Sequence, residues 1–219
     1  FLPGRSPHHQ AFFLLLLQAT ARASKDVFTA PPRRTCLFGA LLDVHKAFDS
    51  MGHYRILHSL ETHHHLDRQW LEILRRILLA NSTTIFGIEI PLLRGLPQGS
   101  PLSPLLCLAF LDDLARALSD FLASHPELFL PWRRDRARGR DLPDFPRLLL
   151  YLLLFADDIS ILACSLAELQ VTVSFIHEWA ISRGVRLSIK SFGVVLSHPP
   201  AAKFTPPPLQ LGDLTINFQ

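Results

Sequence analysis

A chain of 219 residues with 48% hydrophobic, 10% aromatic and 19% charged side chains is too apolar and too weakly charged to stay disordered. It is long enough for one domain with a sizeable core, or for one domain and part of another. The net charge is +3 with an isoelectric point of about 9.0, and 18 of the 22 basic residues are Arg, a balance that suits a polyanionic partner and equally a GC-rich coding sequence.

Three cysteines, Cys36, Cys107 and Cys164, lie far apart in apolar runs, which argues against a disulfide framework or a zinc site and for a reducing, intracellular compartment. Apolar runs such as 11–17 and 148–156 fall short of the roughly 18–20 residues of a membrane helix, so no membrane partner is expected. The chain opens without a Met, as a fragment of a longer protein would.

Ser6 and Pro7 suit a helix start, predicting a helix over about 7–23, followed by a loop to Arg34 that contains Pro31 and Pro32. The continuous apolar run 37–44 predicts a central strand covered on both faces and ending on a carboxylate, Asp43. Two helices follow, over 54–62 and 67–80, the second with Trp70, Leu71, Leu74, Ile77 and Leu78 at helical spacing. Next come a strand over 83–90, a Gly/Pro-punctuated turn over 94–100 and a long helix over 101–123 carrying Asp112 and Asp113. A loop over 124–146 has five arginines between Trp132 and Arg140. The apolar run 148–164, broken by Asp157 and Asp158, reads as a β-hairpin with polar residues at its tip. A helix over 166–183 meets Gly184 where a C-cap belongs. Short strands over 185–189 and 192–196, a Pro-rich connection over 199–208 and a last strand over 214–218 complete the order. The class is α+β, with one sheet covered by helices.

The chemistry-bearing candidates are acidic. Two like charges about 4 Å apart repel by roughly 4 kcal/mol at an effective dielectric near 20, so an acid pair at a hairpin tip needs an offset, and a bound Mg²⁺ is the usual one. If Asp43 lies on a neighbouring strand, three carboxylates converge and could hold two cations, as phosphoryl transfer uses them. Taken singly, each piece also has a plainer role, as turn aspartates and a helix-flanking cap. The string Gly95-Leu96-Pro97-Gln98-Gly99-Ser100-Pro101-Leu102-Ser103-Pro104 holds two glycines and three prolines at a helix start, where a nucleotide can approach the backbone closely.

Asp43-Val44-His45-Lys46-Ala47-Phe48-Asp49, then that string, then Phe155-Ala156-Asp157-Asp158 resemble, in order and interval, the first three palm motifs of reverse transcriptases, nearest to the non-LTR (LINE-type) retrotransposon and group II intron branch. Residues 1–6 resemble that branch's segment joining fingers to palm, and 184–195 its fourth motif. The resemblance implies a palm with a ferredoxin-like βαββαβ antiparallel sheet, helices on one face, partial fingers and no thumb. Its divisions would be a fingers remnant with a connecting helix over 1–35, the palm over 36–198, and a truncated approach to the primer grip over 199–219.

It also implies RNA-templated addition of deoxynucleotides to a DNA primer, with two Mg²⁺ ions, or Mn²⁺ in their place, held by Asp43, Asp157 and Asp158 and by the Val44 carbonyl. Phe48 would screen the sugar 2′ position, Gln98 and Gly99 would line the nucleotide and template base, Arg5 would contact substrate, and Lys190 would give a proton to pyrophosphate. The protein would work inside the cell, in the nucleus of a eukaryotic host.

The sequence departs from the family at Leu2, where Arg is usual, and in the fourth motif, where Ser188-Ile189-Lys190 is short and lacks an Asn. Residues 206–212 resemble the approach to a primer-grip hairpin that the chain ends too soon to complete. These departures keep open a decayed or domesticated, inactive palm that binds nucleic acid or protein. An RNA-dependent RNA polymerase is the further alternative, and Phe48 disfavours it. His63-His64-His65 reads as an exposed connector and the 133–140 arginines as a solvated insertion.

Overall fold

The computed structural model describes residues 37–125, 152–155, 158–163, 165–197 and 205–219. The helix expected over 7–23, Arg5, Asp157 and the arginine-rich segment lie outside them. The order is β1 (Leu37–Asp43), α1 (Ala47–Ser50), α2 (His53–Thr62), α3 (Arg68–Leu79), β2 (Ser82–Ile85), β3 (Ile88–Pro91), α4 (Ser103–Ser124), β4 (Leu152–Phe155), β5 (Asp158–Ala163), α5 (Leu166–Ser182), β6 (Phe192–Ser197), β7 (Leu209–Leu211) and β8 (Leu214–Ile216). It is a mixed α and β fold with antiparallel sheets. A four-stranded sheet runs β4-β5-β1-β6, and β2-β3 and β7-β8 form two hairpins.

β1 pairs antiparallel with both β5 and β6. Its alternation places Phe38, Ala40, Leu42 and Val44 in the core, together with Ile159, Ile161 and Ala163 of β5. The helices that cover this face contribute Leu106, Phe110, Leu111, Leu114 and Leu118 from α4 and Leu169, Val173 and Ile176 from α5. With a period of two, Leu41 and Asp43 fall on the opposite face and are half-buried there. Leu114 is fully enclosed, so Leu114→Ala is expected to lower unfolding free energy by about 2–5 kcal/mol, read from the midpoint of urea denaturation.

Local signals account for three helix ends. Asp67 caps α3 by accepting from Gln69 N–H at 2.8 Å, and Ser165 caps α5 by accepting from Glu168 N–H at 3.1 Å. Gly184, at φ 71°, closes α5 in a Schellman motif: its N–H donates to Ile181 C=O and that of Val185 to Ala180 C=O, both at 2.9 Å. On the outer side of α3, Glu72 bonds Arg75 and Arg76, which hold its carboxyl down from 4.5 to about 2. Asp113 of α4 joins three elements, accepting from Arg183 at 2.8 Å and Trp179 at 3.2 Å and lying 3.4 Å from His63.

Several expectations need correction. The strand expected over 83–90 is a hairpin, because Phe86 and Gly87, both at positive φ, make the two-residue turn that reverses the chain. The segment 185–189 is not a strand: it touches β1 through one bridge, Val44 to Leu187, and then turns. Trp70 and Ile77 face outward, while Leu78 is buried and Leu71 and Leu74 are half-buried. His63 is half-buried against Asp113 rather than a free connector. Leu209–Ile216 close a complete hairpin, which the Gln170 side-chain amide fastens to α5 by bonding both the N–H and the C=O of Gln210.

Candidate active site

The site is built at one end of the central strand pair. The β1–β5 register runs Ala40 opposite Ile161, Leu42 opposite Ile159 and, last, Asp43 opposite Asp158. Both backbone groups of Asp43 turn away from β5: its N–H donates to Ser191 Oγ at 3.1 Å, and its C=O accepts from Ser188 N–H at 2.7 Å. Asp43 and Asp158 are therefore a non-hydrogen-bonded pair, the kind in which opposed Cα atoms stand only about 4.5 Å apart. Asp43 itself is half-buried on the face that α4 and α5 leave uncovered. Asp157, which follows β4 and precedes Asp158, lies outside the described residues.

Alternation along β1 also orients Val44. Its neighbours Asp43 and His45 bond toward 186–191, His45 N–H donating to Arg186 C=O at 2.9 Å. The Val44 C=O is thereby turned to the other edge, where β5 ends. Carboxylate positions 43 and 158 and this carbonyl offer hard oxygen donors, the set that Mg²⁺ or Mn²⁺ takes. Among the described residues, no three His, Cys, Asp or Glu side chains form a metal-binding group, and of the three expected acids only the Asp43 side chain is among them.

Beyond β1 the chain turns through Lys46, at φ 47°, into the single turn α1. Ala47 is buried and Phe48 lies partly buried against the core. This turn is stitched to the segment before α4: Leu96 N–H donates to Phe48 C=O at 2.8 Å, Gly95 N–H to Met51 C=O at 2.9 Å and His53 N–H to Leu93 C=O at 3.1 Å. His53, only 4% exposed, adds a bond of 2.7 Å from Nε2 to the Gly95 carbonyl. A carbonyl only accepts, so the proton sits on Nε2. Nδ1 is buried without a partner among the described residues.

Gly95, at φ 94°, runs against the backbone of Asp49, with 3.5 Å left for any Cβ. Pro97 to Ser100 then form a turn closed at 3.3 Å, with Gly99 at φ 87° in the position that demands it. Ser103 Oγ ties the turn down on Pro97 C=O at 2.6 Å. Gln98 and Gly99 stand exposed at the tip.

Lys190 is exposed on the turn 188–191, whose ends bond Asp43. The structure thus joins Asp43 to Asp158 and to the Lys190 turn, and joins the Phe48 segment to the Gly95 loop. Arg5 and Asp157 are outside its reach. Sequence reasoning missed Ser188, Ser191 and His53. A Ser-x-x-Ser spacing around Ile189-Lys190 is a turn signal, but nothing in it says what the hydroxyls bond. His53→Leu is expected to cost about 1–3 kcal/mol by leaving the Gly95 carbonyl unpaired, and His53→Gln, which keeps a donor there, to recover most of it in urea unfolding.

The reverse transcriptase (RNA-dependent DNA polymerase) family model matches residues 9–196, and the chain belongs to that family. No curated protein matches it. Among solved structures it is similar to apo telomerase from Candida tropicalis, with TM-score 0.57 and 12% identity over 97% of this chain and 35% of that one. It is also similar to telomerase from Candida albicans in complex with the TWJ fragment of telomeric RNA, with TM-score 0.56 and 12% identity over 97% and 33%. A third likeness is to Candida tropicalis telomerase with the TWJ fragment, with TM-score 0.51 and 15% identity over 97% and 32%. At such identities the likeness is one of fold, and the chain spans about a third of the length of these structures. No helix among the described residues is long and apolar enough to cross a membrane.

Proposed function

We propose that this chain is the palm, with part of the fingers, of a non-LTR retroelement reverse transcriptase of the LINE and group II intron branch, adding deoxynucleotides to a primer 3′-OH on an RNA template. The observation that carries the reading is Asp43 set opposite Asp158 at the open end of the sheet, beside the turn that bears Lys190. The strand order β4-β5-β1-β6 with α5 between β5 and β6 supports the ferredoxin-like palm, with its divisions at 1–35, 36–198 and 199–219.

Asp43, Asp157 and Asp158, with the Val44 carbonyl, would hold two divalent cations, which when bound lower the pKa of the primer 3′-OH and offset charge on the leaving pyrophosphate. The protein's own residues do the rest. Lys190 gives a proton to the leaving group, and Phe48 screens the sugar 2′ position. Gln98 and Gly99 line the nucleotide and template base, and Arg5 contacts substrate. The shortened fourth motif is compatible with this role, since its turn is anchored at both ends on Asp43. A nuclear location in a eukaryotic host follows from the retroelement reading.

The test is extension of a DNA primer on an RNA template by the full-length protein containing this chain, with Mg²⁺ and either dNTPs or rNTPs. Mg²⁺-dependent extension with dNTPs preferred is the expected result. Tight binding of the primer–template with no extension would instead establish an inactive nucleic-acid-binding palm, and preferred use of rNTPs an RNA polymerase.

A further inference from the structure

The ladder between β1 and β6 ends at Leu41 opposite Phe192, yet the Asp43 peptide is not left to solvent. The chain between 188 and 191 makes a tight turn, Ser191 N–H donating to Ser188 C=O at 3.1 Å. Ser188 Oγ accepts from Lys190 N–H at 3.2 Å inside it. Both ends of that turn then bond the same residue, Ser188 N–H giving to Asp43 C=O at 2.7 Å and Ser191 Oγ accepting from Asp43 N–H at 3.1 Å. Both serines are 7% exposed, whereas Ile189 at the tip is 87% exposed. A hydroxyl has replaced the strand carbonyl that would pair with Asp43, and the residues released by that replacement form the tip that carries Lys190. The tip has no other described bond to the sheet than these.

From this we infer that Ser191 is a positioning residue: its hydroxyl latches the Lys190 turn to the Asp43 main chain and so sets where Lys190 stands relative to the carboxylate end of the sheet. This rests on the reading of Asp43 and Lys190 given above. Without the hydroxyl the turn stays pinned at its ends, by the Ser188 bond and the Leu187 bridge on one side and by Phe192 opposite Leu41 on the other. Its Ser191 corner, however, loses its hold on the Asp43 N–H, so the tip carrying Lys190 shifts while Asp43 keeps its place opposite Asp158.

The experiment uses the full-length protein in steady-state primer extension. Ser191→Ala is expected to lower kcat by about 10–100-fold, the range found when a group supporting a catalytic residue is lost, with KM for the nucleotide unchanged. Ser191→Thr, which keeps the hydroxyl, is expected to restore most of it. Because Ser191 acts through Lys190, the double variant Lys190→Ala, Ser191→Ala is expected to be no slower than Lys190→Ala alone. Ser59→Ala serves as the structural control. It removes a hydroxyl bond to Ala109 C=O of 2.6 Å at a site 2% exposed, and should lower Tm while kcat stays.

An unchanged kcat in Ser191→Ala, no recovery with Thr, or full additivity in the double variant would overturn the latch while leaving the polymerase reading intact. Should Ser191→Ala not fold, the Thr variant and its kcat decide alone. A parent protein that extends no primer removes the polymerase reading first, and the latch with it.

Discussion

Asp43→Asn should reduce Mg²⁺-dependent primer extension by about 1000-fold or more, because charge stabilisation by a held cation is worth several kcal/mol and about 1.4 kcal/mol is a factor of ten. Asn has nearly the same shape, and both bonds that anchor residue 43 to Ser188 and Ser191 are made by its main chain, so the fold should survive. The stability readout has a definite sign. Like charges directly opposite in a sheet destabilise it, so removing one of the pair formed with Asp158 should raise Tm in metal-free buffer. Added Mg²⁺ should raise the Tm of the parent more than that of the variant. Lost activity with a Tm that falls instead would make Asp43 a structural residue. Extension at the parent rate would end the two-cation reading.

Phe48→Ala is the second. Its ring is partly buried against the core, while its carbonyl is held by Leu96 N–H, so the backbone path through α1 is kept when the ring is cut back. A steric screen over the sugar 2′ position works by exclusion, and pocket shape of this sort discriminates by roughly 10–200-fold. The kcat/KM ratio of dNTP over the matching rNTP should fall by about that factor, chiefly through better use of the rNTP. An equal loss for both nucleotides would show that the ring serves packing only.

Where one residue type has one common structural use, the outcome was readable in advance. Gly184 after an apolar helical run meant a C-cap, and α5 does end there, with Gly184 and Val185 N–H closing its last turn. The apolar stretch ending on Asp43 meant a central strand. The motif order pointed to the reverse transcriptase family before any fold was known, and the match over residues 9–196 agrees. Where two solutions share one composition, the reading failed. The segment 83–90 is uniformly exposed in both its strands, so no alternation marked the turn, and Phe at positive φ is an uncommon choice. On α3, Trp70 and Ile77 have the spacing of buried residues, and only the position of α2 and its neighbours turned them outward.

Local chemistry, then, was decided along the chain: helix ends, the positive-φ glycines and the identity of the acidic residues all depend on groups within about five residues of one another. Long-range pairing was not. That Asp43 faces Asp158 across 115 positions, that His53 reaches the Gly95 carbonyl, and that two serines bond the Asp43 peptide are facts of register. Register is set by which apolar face the whole sheet buries under α4 and α5, and a slip of one residue would have left every motif intact while sending Asp43 into the core.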